Sequence, residues 1–440
     1  MNPTPAATAL LLPRWVLTMA RGAELLDEHA VVLAGDRIAD ILPVHDARAR
    51  YPHLPETVLP THVLMPGLVN THTHAAMTLM RGLADDLPLM RWLEDHIWPA
   101  ERTHATAEFV HDGTVLAAAE SLLGGVTCLN DMYFFPEQAA AAALETGIRM
   151  ALGIIVIEFP TRYASDPQDY LDRGLAMRDR HRHDARLSFC MAPHAPYTVS
   201  DPTFERVAVL AEQLDLPIHL HLHETEGEIQ QSLAQYGCRP IERLSRLGFL
   251  GPRLIAVHAV HLVEEEIAAF AHHGCSMVHC PSSNLKLASG IAPVGELLGA
   301  GVNVALGTDG AASNNRLDMF EEMRLAALLA KGATGDAAAL PAERALAMAT
   351  IDGARALGLE DRIGSIEAGK QADLIAVDLD AIDLAPCFHP LSHLVYAASR
   401  RDVSHVWVGG ECLVADRELT RLDVDQLRRQ VGSWRARLSG

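Results

Sequence analysis

Lysine is nearly absent from this sequence, and acidic residues far outnumber basic ones. The only lysines are Lys286, Lys331 and Lys370, and 36 lysines and arginines stand against 56 aspartates and glutamates, for a formal net charge of -20. Nucleic acids and anionic membrane surfaces bind clustered lysines and arginines. The sequence therefore predicts no nucleic-acid partner and no membrane partner.

Cysteine is scattered, and long apolar runs are missing. The seven cysteines include no Cys-x-x-Cys pair, so neither a disulfide framework nor a thiolate zinc site is indicated, and we expect a reducing, cytoplasmic location. No apolar run is long enough to span a bilayer. The early stretch "ATALLLPRWVLTMA" is interrupted by Pro13 and Arg14, unlike a signal peptide.

Hydrophobic residues make up 49% of the 440 positions, which is enough for a large core. Helical patterns, such as residues 107–123 and 318–329, alternate with eight β-rich runs that end in polar residues. The runs are "LMPGLVNTHTH", "VTCLNDM", "MALGIIVIEF", "LSFCMAPHAPY", "PIHLHLHE", "LIAVHAVHL", "CSMVHCPSSN" and "VNVALGTDG". Alternating β and α units predict a parallel sheet, and eight of them match the count of a (β/α)8 TIM barrel.

The two ends of the chain have a different pattern. "HAVVLAGDRIADILPV" predicts a hairpin that turns at Gly35-Asp36, and "HVWVGGECLVAD" predicts another at Gly409-Gly410. We therefore predict an α/β fold in which a (β/α)8 barrel, residues 61–365, is flanked by a small β-sandwich domain. Residues 1–60 and 366–440 would form that domain, the second part ending in a terminal helix.

Histidines collect where the predicted barrel strands end. On a strand, His72 and His74 share one face and could reach one ion, although a polar strand end with two solvated histidines explains that pair equally well. The other polar residues at strand ends are His194, His219, His221, His223, Glu224, His258, His261, His279 and Asp309. Taken singly, His219 or His279 could be a hydrogen-bonded core residue, and Asp309 could cap a helix.

Taken together, these residues predict a metal site. The carboxyl ends of barrel strands meet at one face, which is where such barrels carry their chemistry. Imidazole nitrogens with one carboxylate oxygen and no thiolate suit Zn²⁺ or another first-row divalent ion with one position open for water. The pKa of the bound water then falls to about 7, which supplies hydroxide at neutral pH.

The segments "PGLVNTHTH", "HLHE", "VHAVHL" and "LGTDGAASNN" resemble the amidohydrolase superfamily, and specifically its adenosine-type deaminases acting on methylthioadenosine and S-adenosylhomocysteine. The resemblance extends from about Val31 to about Asp416. It implies a homo-oligomer that replaces the 6-amino group of an adenine nucleoside by oxygen. Alternatives are a guanine-type or triazine aminohydrolase on the same scaffold, or a scaffold without catalysis, because fold does not fix function.

The resemblance also implies a role for particular residues. The implied metal ligands are His72, His74, His221 and Asp309. Glu224 is implied as the proton shuttle, with His258 and Asp309 orienting the water. The implied substrate-binding residues are Glu101 and His194, which would hold the ribose, together with Glu224, Asp309, Trp92, Ser313 and Arg162.

Two further expectations concern the ion and the acid. Two-metal amidohydrolases bridge their ions with a carboxylated lysine, typically on the fourth strand, and here that strand, "RLSFCMAPHAPY", has none; Lys286 follows the seventh strand. One metal per chain is therefore expected.

Attack at C6 of adenine builds negative charge on the ring nitrogens, so an acid near N1 must donate a proton. Glu224 is placed for this, and a pocket of low polarity would raise its pKa.

The strand "RMALGIIVIEFPTR" bears on which nucleoside is preferred. Family members that use S-adenosylhomocysteine well can hold its carboxylate with arginines, and here Ile154 stands where one such arginine could be, leaving Arg162. Arg162 is equally explained as a solvated loop residue. An apolar wall at Ile154 near Trp92 would suit a methylthio group. We therefore expect both nucleosides to be accepted and 5'-methylthioadenosine to be preferred.

Overall fold

The computed structural model describes residues 6–20 and 22–439. Its strands form two separate sheets. In chain order the strands are β1 Ala9–Leu17, β2 Leu25–Asp27, β3 His29–Ala34, β4 Arg37–Pro43, β5 Glu56–Pro66, β6 Leu68–Thr73, β7 Val126–Asp131, β8 Arg149–Val156, β9 Leu187–Pro193, β10 Ile218–Leu222, β11 Leu254–His258, β12 Ser276–His279, β13 Asn303–Leu306, β14 Leu374–Asp378, β15 Val403–Val408, β16 Glu411–Ala415 and β17 Glu418–Leu419.

Helices separate the strands of the larger part of the chain. They are α1 Val44–Arg50, α2 Leu89–Trp92, α3 Trp98–His104, α4 Ala107–Leu123, α5 Pro136–Thr146, α6 Pro167–His181, α7 Asp201–Leu214, α8 Glu226–Tyr236, α9 Pro240–Arg246, α10 Glu264–His273, α11 Pro281–Lys286, α12 Val294–Gly299, α13 Ala311–Asn314, α14 Met319–Thr334, α15 Ala342–Met348, α16 Ile351–Ala356, α17 Pro390–Tyr396 and α18 Val424–Leu438. Short 3₁₀ segments span Ala75–Met80, Ile382–Leu384 and Arg400–Asp402, and a π-helical turn spans Leu93–Ile97. Within the described residues, no helix combines the length and the apolarity needed to cross a membrane.

Strands β6 to β13 form a parallel barrel in chain order. Their residues are almost all buried, because helices cover the outer face while side chains fill the interior. The barrel closes where the chain after β13 meets β6: the amide of Asp309 donates to the carbonyl of His72 at 3.0 Å, and the amide of Thr308 donates to Oδ1 of Asn70 at 3.0 Å. The predicted (β/α)8 barrel is confirmed.

The second sheet takes strands from both ends of the chain. Its order is β17-β16-β15-β14-β5-β1-β3-β4, with β2 paired to β1. Both predicted hairpins are confirmed, since β3 pairs with β4 around Gly35 and β15 pairs with β16 around Gly409 and Gly410. These glycines have φ values of +60°, +54° and +72°, which glycine adopts without steric cost. The flanking β domain of the predicted fold is therefore present.

A buried ion pair joins the barrel to this flanking sheet. Nε and Nη2 of Arg149, at the start of β8, donate to the carboxylate of Asp373 at 2.8 and 3.0 Å. Asp373 precedes β14 and also accepts from the amide of Gly409 at 2.8 Å. Such a two-pronged pair fixes both distance and orientation. The division of domains at residues 60 and 365 remains a proposal, and β5 of the flanking sheet reaches Pro66.

The chain between β6 and α4, residues 75–106, forms an irregular helical layer over the barrel, which we call the first βα segment. It begins with the 3₁₀ segment Ala75–Met80 and continues through α2, the π-helical turn and α3. Its apolar side chains pack with Trp434 of α18 in one buried cluster. The segment carries Trp92 and Glu101, so it brings two predicted site residues above the ends of the strands.

Candidate metal centre and active site

A cavity of about 720 Å³ lies at the carboxyl ends of the barrel strands. Its walls come from the strand ends, from the first βα segment and from residues 157–162 after β8. Among the residues to which the resemblance gives a role, His72 is fully buried and does not line the cavity; nor do the strand-end histidines His219, His223, His261 and His279, which have no assigned role. The other residues with an implied role all line it: His74, Trp92, Glu101, Arg162, His194, His221, Glu224, His258, Asp309 and Ser313.

Two histidine rings face each other in this cavity. Nδ1 of His74 donates to the carbonyl of Met132 at 2.6 Å, and Nδ1 of His221 donates to the carbonyl of His194 at 2.7 Å. Because a carbonyl only accepts, the proton of each neutral ring lies on Nδ1 and each Nε2 carries a lone pair. The two Nε2 atoms are 3.3 Å apart. Facing lone pairs repel, and a cation bound to both nitrogens would remove that repulsion.

His72 contributes a third ring nitrogen to the same place. Its Nδ1 lies 3.0 Å from Nε2 of His219. Of the alternatives that the sequence allowed for His219, the structure therefore shows a hydrogen-bonded core residue. Nε2 of His72 is buried and, within the described part of the chain, has no partner with hydrogen-bond geometry. Burial lowers the pKa of His72 to about 4, so the ring is neutral at pH 7. An unpartnered buried nitrogen is costly unless something binds it.

Asp309 adds a carboxylate to the three imidazoles. Its Oδ1 lies 3.3 Å from Nε2 of His72 and 3.4 Å from Nε2 of His74. Its Oδ2 accepts hydrogen bonds from the hydroxyls of Ser283 at 2.6 Å and Ser313 at 2.9 Å. Burial by itself would raise the pKa of Asp309, but its interactions with His72 and the neighbouring histidines hold that pKa well below the usual value. The carboxylate is therefore ionised.

These donor atoms fit a divalent cation. Ligand atoms of His72, His74 and Asp309 lie within 4.8 Å of one another, and so do those of His72, His221 and His258. The unpartnered nitrogen of His72, the facing lone pairs of His74 and His221 and the ionised carboxylate would all be satisfied by one ion. Nitrogen and oxygen donors without thiolate are typical of zinc and similar metals in hydrolases.

Glu224 and His258 form a second pair in the cavity. Oε2 of Glu224 lies 3.8 Å from Nε2 of His258, and Oε1 of Glu224 accepts a long hydrogen bond, 3.4 Å, from Ser289. Nδ1 of His258 lies 2.8 Å from Oδ1 of Asn284, which fixes the ring. Burial raises the pKa of Glu224 above its ordinary value. The carboxyl group therefore retains a proton at higher pH than a solvated glutamate and can act as an acid.

Three residues at the strand ends have backbone conformations that side chains rarely adopt. The φ values are +55° at His223, +72° at His258 and +61° at Asp309. His and Asp tolerate this left-handed region better than most residues, and such strain is commonly found at functional sites. At His223 the turn is stabilised by Glu228, whose carboxylate accepts from the amides of His223 at 3.0 Å and Glu224 at 2.9 Å. The backbone of Glu224 is thereby fixed.

Glu101 and His194 lie in the wall of the cavity. Oε1 of Glu101 accepts a hydrogen bond from the hydroxyl of Tyr133 at 2.7 Å, and burial raises the pKa of Glu101 to about 7. Nδ1 of His194 lies 2.9 Å from the hydroxyl of Thr198, and burial lowers the pKa of His194 to about 3. The cavity wall thus offers a carboxylate and a neutral imidazole to a polar ligand.

Trp92, Ser313 and Arg162 have different surroundings. Trp92 is buried and its indole N–H donates to the carbonyl of Ala84 at 3.2 Å, so its ring forms part of the cavity wall. Ser313 contacts the carboxylate of Asp309, as described above. Arg162 is exposed and its Nε donates to the carbonyl of Arg102 at 2.6 Å. This bond ties residues 157–162 to α3 at the cavity mouth.

The prediction of an apolar wall at Ile154 is wrong. The side chain of Ile154 lies outside the barrel against Gly174 of α6, where an added Cβ would be only 2.4 Å from Cγ2 of Ile154. Ile155 and Ile157, which share the opposite face of the chain, line the cavity instead. Because β8 is apolar on both faces, its sequence has no alternation that shows which residues point inward.

Sequence reasoning also missed several polar residues that surround the site. Tyr133 contacts Glu101, Ser283 contacts Asp309, Asn284 contacts His258, and Glu228 contacts the backbone of Glu224. Asn284 and Ser283 stand in "CPSSN", the polar end of the seventh predicted run, directly after β12. Their position after a barrel strand is the signal that would have found them, since polar residues there face the same site.

A closed parallel barrel with a cluster of histidines and an aspartate at its carboxyl face defines the class of metal-dependent barrel hydrolases. The sequence model described as the amidohydrolase family matches residues 63–413. The chain belongs to the amidohydrolase family. This agrees with the resemblance seen in the sequence motifs.

Relatives at high identity extend over nearly the whole chain. The 5-methylthioadenosine/S-adenosylhomocysteine deaminase of Saccharophagus degradans is 46% identical over 437 residues, 99% of this chain and 98% of the relative. The 5'-deoxyadenosine deaminase of Methanothermobacter thermautotrophicus is 41% identical over 426 residues, 95% of this chain and 98% of the relative. The crystal structure of an adenosine deaminase from Xanthomonas campestris with bound zinc is 50% identical, with a TM-score of 0.97 and coverage of 99% and 100%.

Proposed function

We propose that this chain is a hydrolytic deaminase that converts an adenine nucleoside and water to the inosine analogue and ammonia. Its substrates are 5'-methylthioadenosine and S-adenosylhomocysteine, with adenosine as a third candidate. One observation carries the proposal: the cavity at the carboxyl ends of the barrel strands adjoins a His/Asp metal cluster and is lined by the buried acid Glu224, whose carboxylate is 3.8 Å from His258. Relatives that share about half of the sequence are named for this reaction.

We assign one Zn²⁺ ion to the site, held by His72, His74, His221 and Asp309. When bound, this ion acts as a Lewis acid that lowers the pKa of a coordinated water to about 7. A bridging lysine for a second ion is lacking among the described residues, and the nearest candidate in sequence, Lys286, is paired with Asp85 at 2.5 Å. Another first-row divalent ion would satisfy the same donors.

Glu224 serves as the acid and base of the reaction. As the water oxygen bonds to C6, Glu224 donates a proton to ring nitrogen N1, where negative charge would otherwise accumulate. His258 and Asp309 orient the water and accept its proton. The proton taken from the water restores Glu224, the proton of the new C6 hydroxyl passes to the amino nitrogen, and the bond from C6 to that nitrogen breaks to release ammonia.

Glu101 and His194 would hold the ribose. A carboxyl group can form hydrogen bonds with two neighbouring hydroxyls, and a neutral imidazole can donate or accept one. Trp92 supplies an aromatic wall beside them, and Ser313 supports Asp309. Glu101 favours a ligand that carries a sugar over a free base, which sets the proposal apart from a guanine-type deaminase.

The mouth of the cavity suits an apolar group at the 5' position of the nucleoside. The rings of Trp98 and Phe159 meet edge to face there, with centroids 6.3 Å apart, and Ile157 lies in the same wall. A thioether packs well against aromatic and aliphatic surface. We therefore propose that 5'-methylthioadenosine is the preferred substrate, because Trp98, Phe159 and Ile157, and not Ile154, form the apolar surface that its methylthio group would contact.

Arg162→Ala is expected to lower kcat/KM for S-adenosylhomocysteine by roughly tenfold and to leave 5'-methylthioadenosine within about twofold. Only the first substrate carries a carboxylate that the exposed guanidinium of Arg162 can bind, and this exposure keeps the effect near the low end for a charged hydrogen bond. Steady-state kinetics on both substrates measure this. Arg173→Ala, which removes an exposed arginine on α6 outside the cavity, is the control. Equal losses on both substrates would show that Arg162 binds no carboxylate.

The function itself is tested by an ammonia-release screen with metal-analysed protein. The substrates are adenosine, 5'-methylthioadenosine, S-adenosylhomocysteine, guanine and 8-oxoguanine. Turnover of the adenine nucleosides alone is the expected result. Release of ammonia only from the guanines, or from no compound, would overturn the proposal. Whether the chain forms a homo-oligomer remains a prediction, which the molar mass in solution tests.

A further inference from the structure

Two consecutive residues directly after β7 contact the proposed site, the first at His74 and the second at Glu101 in the first βα segment. The carbonyl of Met132 accepts the Nδ1 hydrogen of His74 at 2.6 Å. The hydroxyl of Tyr133, the next residue, donates to Oε1 of Glu101 at 2.7 Å. One short piece of barrel strand end therefore orients both a proposed metal ligand and a proposed ribose ligand. The first is oriented by backbone and the second by a side chain.

The hydroxyl of Tyr133 contacts Glu101, while the ring of Tyr133 lies beside His74, with ring centroids 6.5 Å apart. Tyr133 is 4% exposed, and its ring packs against Phe134 with centroids 5.2 Å apart. Among the described residues, no other side chain donates a hydrogen bond to Glu101. The second carboxylate oxygen, Oε2, has no protein donor in that set. Burial raises the pKa of Glu101 to about 7, while the hydrogen bond from Tyr133 acts in the opposite direction.

We propose that Tyr133 is a positioning residue for the ribose site: its hydroxyl fixes one oxygen of Glu101, and the other oxygen is thereby presented to the ribose hydroxyls. The inference rests on the proposed function, because it needs a nucleoside in this cavity. A carboxylate held at one oxygen loses less rotational freedom when the other oxygen binds a ligand, so the cost of ordering is met before binding. Tyr133 acts on nucleoside affinity through Glu101.

The inference predicts a loss of substrate binding with the chemical step preserved. Tyr133 does not contact Glu224, His258 or Asp309 through any hydrogen bond in the described residues, so the groups that move protons stay in place. Removal of the hydroxyl leaves Glu101 free to rotate and weakens its bonds to the sugar. KM should therefore rise while kcat changes little.

The decisive experiment compares Tyr133→Phe with the unchanged protein on adenosine and on 2',3'-dideoxyadenosine. We expect kcat/KM for adenosine to fall roughly tenfold, mainly through KM, as is typical for loss of one hydrogen bond to a charged group. The dideoxy analogue lacks the hydroxyls that Glu101 would bind, so its kcat/KM should change less than twofold. If the dideoxy analogue is not turned over, its inhibition constant is compared between Tyr133→Phe and the unchanged protein.

Two further variants separate positioning from a loss of structure. Tyr396→Phe removes a phenol hydroxyl on α17, outside the cavity, and should behave as the unchanged protein. In a Glu101→Gln background, Tyr133→Phe should lower kcat/KM for adenosine little further, because both substitutions remove the same interaction. Melting temperatures of all variants report on the fold.

The outcomes are distinct. Equal losses on adenosine and its dideoxy analogue, unchanged kinetics of Tyr133→Phe, or losses that add fully to those of Glu101→Gln would each overturn the role of Tyr133 while leaving a working deaminase. Failure of the proposed function would be seen in the unchanged protein, which would release no ammonia from any adenine nucleoside.

Discussion

His221→Ala is expected to lose the bound divalent metal and catalytic turnover together. The ring of His221 supplies an Nε2 lone pair that lies 3.3 Å from Nε2 of His74, and its Nδ1 hydrogen is held by the carbonyl of His194. Without this nitrogen, only three of the four assigned protein donors remain, so the ion should be held much more weakly. Turnover should fall by well over the ~10–100-fold typical of losing a group that merely orients a ligand.

Metal content per chain, measured on the purified variant, is read beside the rate of ammonia release. His273→Ala, an exposed histidine at the end of α10, controls for general effects of histidine loss. The melting temperature without added metal shows whether the barrel itself survives the substitution. Full metal occupancy in His221→Ala would refute its assignment as a ligand, whatever the remaining activity.

Much of the barrel could be predicted because buried parallel strands appear in a sequence as short apolar runs that alternate with helical patterns. Strands β6 to β13 are short and almost entirely buried, and several of them, such as β6, β11 and β12, end in polar residues at the carboxyl face. Helix α4 was predicted to span residues 107–123 and does so, since Thr106 caps its start and Gly124 follows its end. Local signals of this kind need no knowledge of tertiary contacts.

The same apolar character explains the error at Ile154. A strand with one solvated face shows which residues point inward, because polar and apolar residues alternate. β8 has buried residues on both faces. If the inward-facing positions are assigned one residue too early or too late, both assignments look equally apolar in the sequence, but a side chain placed in the cavity belongs in the helix layer. Only the packing of Gly174 against Ile154 reveals the direction.

The first βα segment was beyond local prediction for another reason. Its sequence has little regular period, and the structure combines a 3₁₀ segment, two short helices and a π-helical turn over residues 93–97. Such irregular helices are stabilised by tertiary packing, here on the cluster that includes Trp434, more than by propensity. Glu101 could be proposed as a site residue by resemblance, whereas its partner Tyr133 could not.

The polar groups around the site show what a motif leaves out. The histidines and Asp309 stand in recognisable motifs, but Glu228, Asn284 and Ser283 gain their meaning only from contacts across the barrel face. Buried polar groups need partners, so these residues follow from the presence of the motif residues. The motifs do not show which positions along the chain supply these partners.

Glu224→Gln tests the proposed acid separately from the metal. The substitution keeps the shape of the side chain, and the backbone of residue 224 stays bound to Glu228, as the amide hydrogen bond of 2.9 Å does not involve the changed group. Glutamine cannot release a proton to N1 of the purine. Turnover should therefore fall by roughly a hundredfold or more, the size expected for loss of general acid catalysis.

Metal content should be unchanged in Glu224→Gln, since the carboxylate is proposed to move protons and the ion is assigned to His72, His74, His221 and Asp309. This contrast with His221→Ala distinguishes the two roles within one cavity. Glu226→Gln, an exposed neighbour at the start of α8, is the matched control and should retain normal kcat. If Glu224→Gln instead turned over nucleoside at a near-normal rate with its metal in place, the proton at N1 would have to come from another group, and Glu224 would be removed from the mechanism.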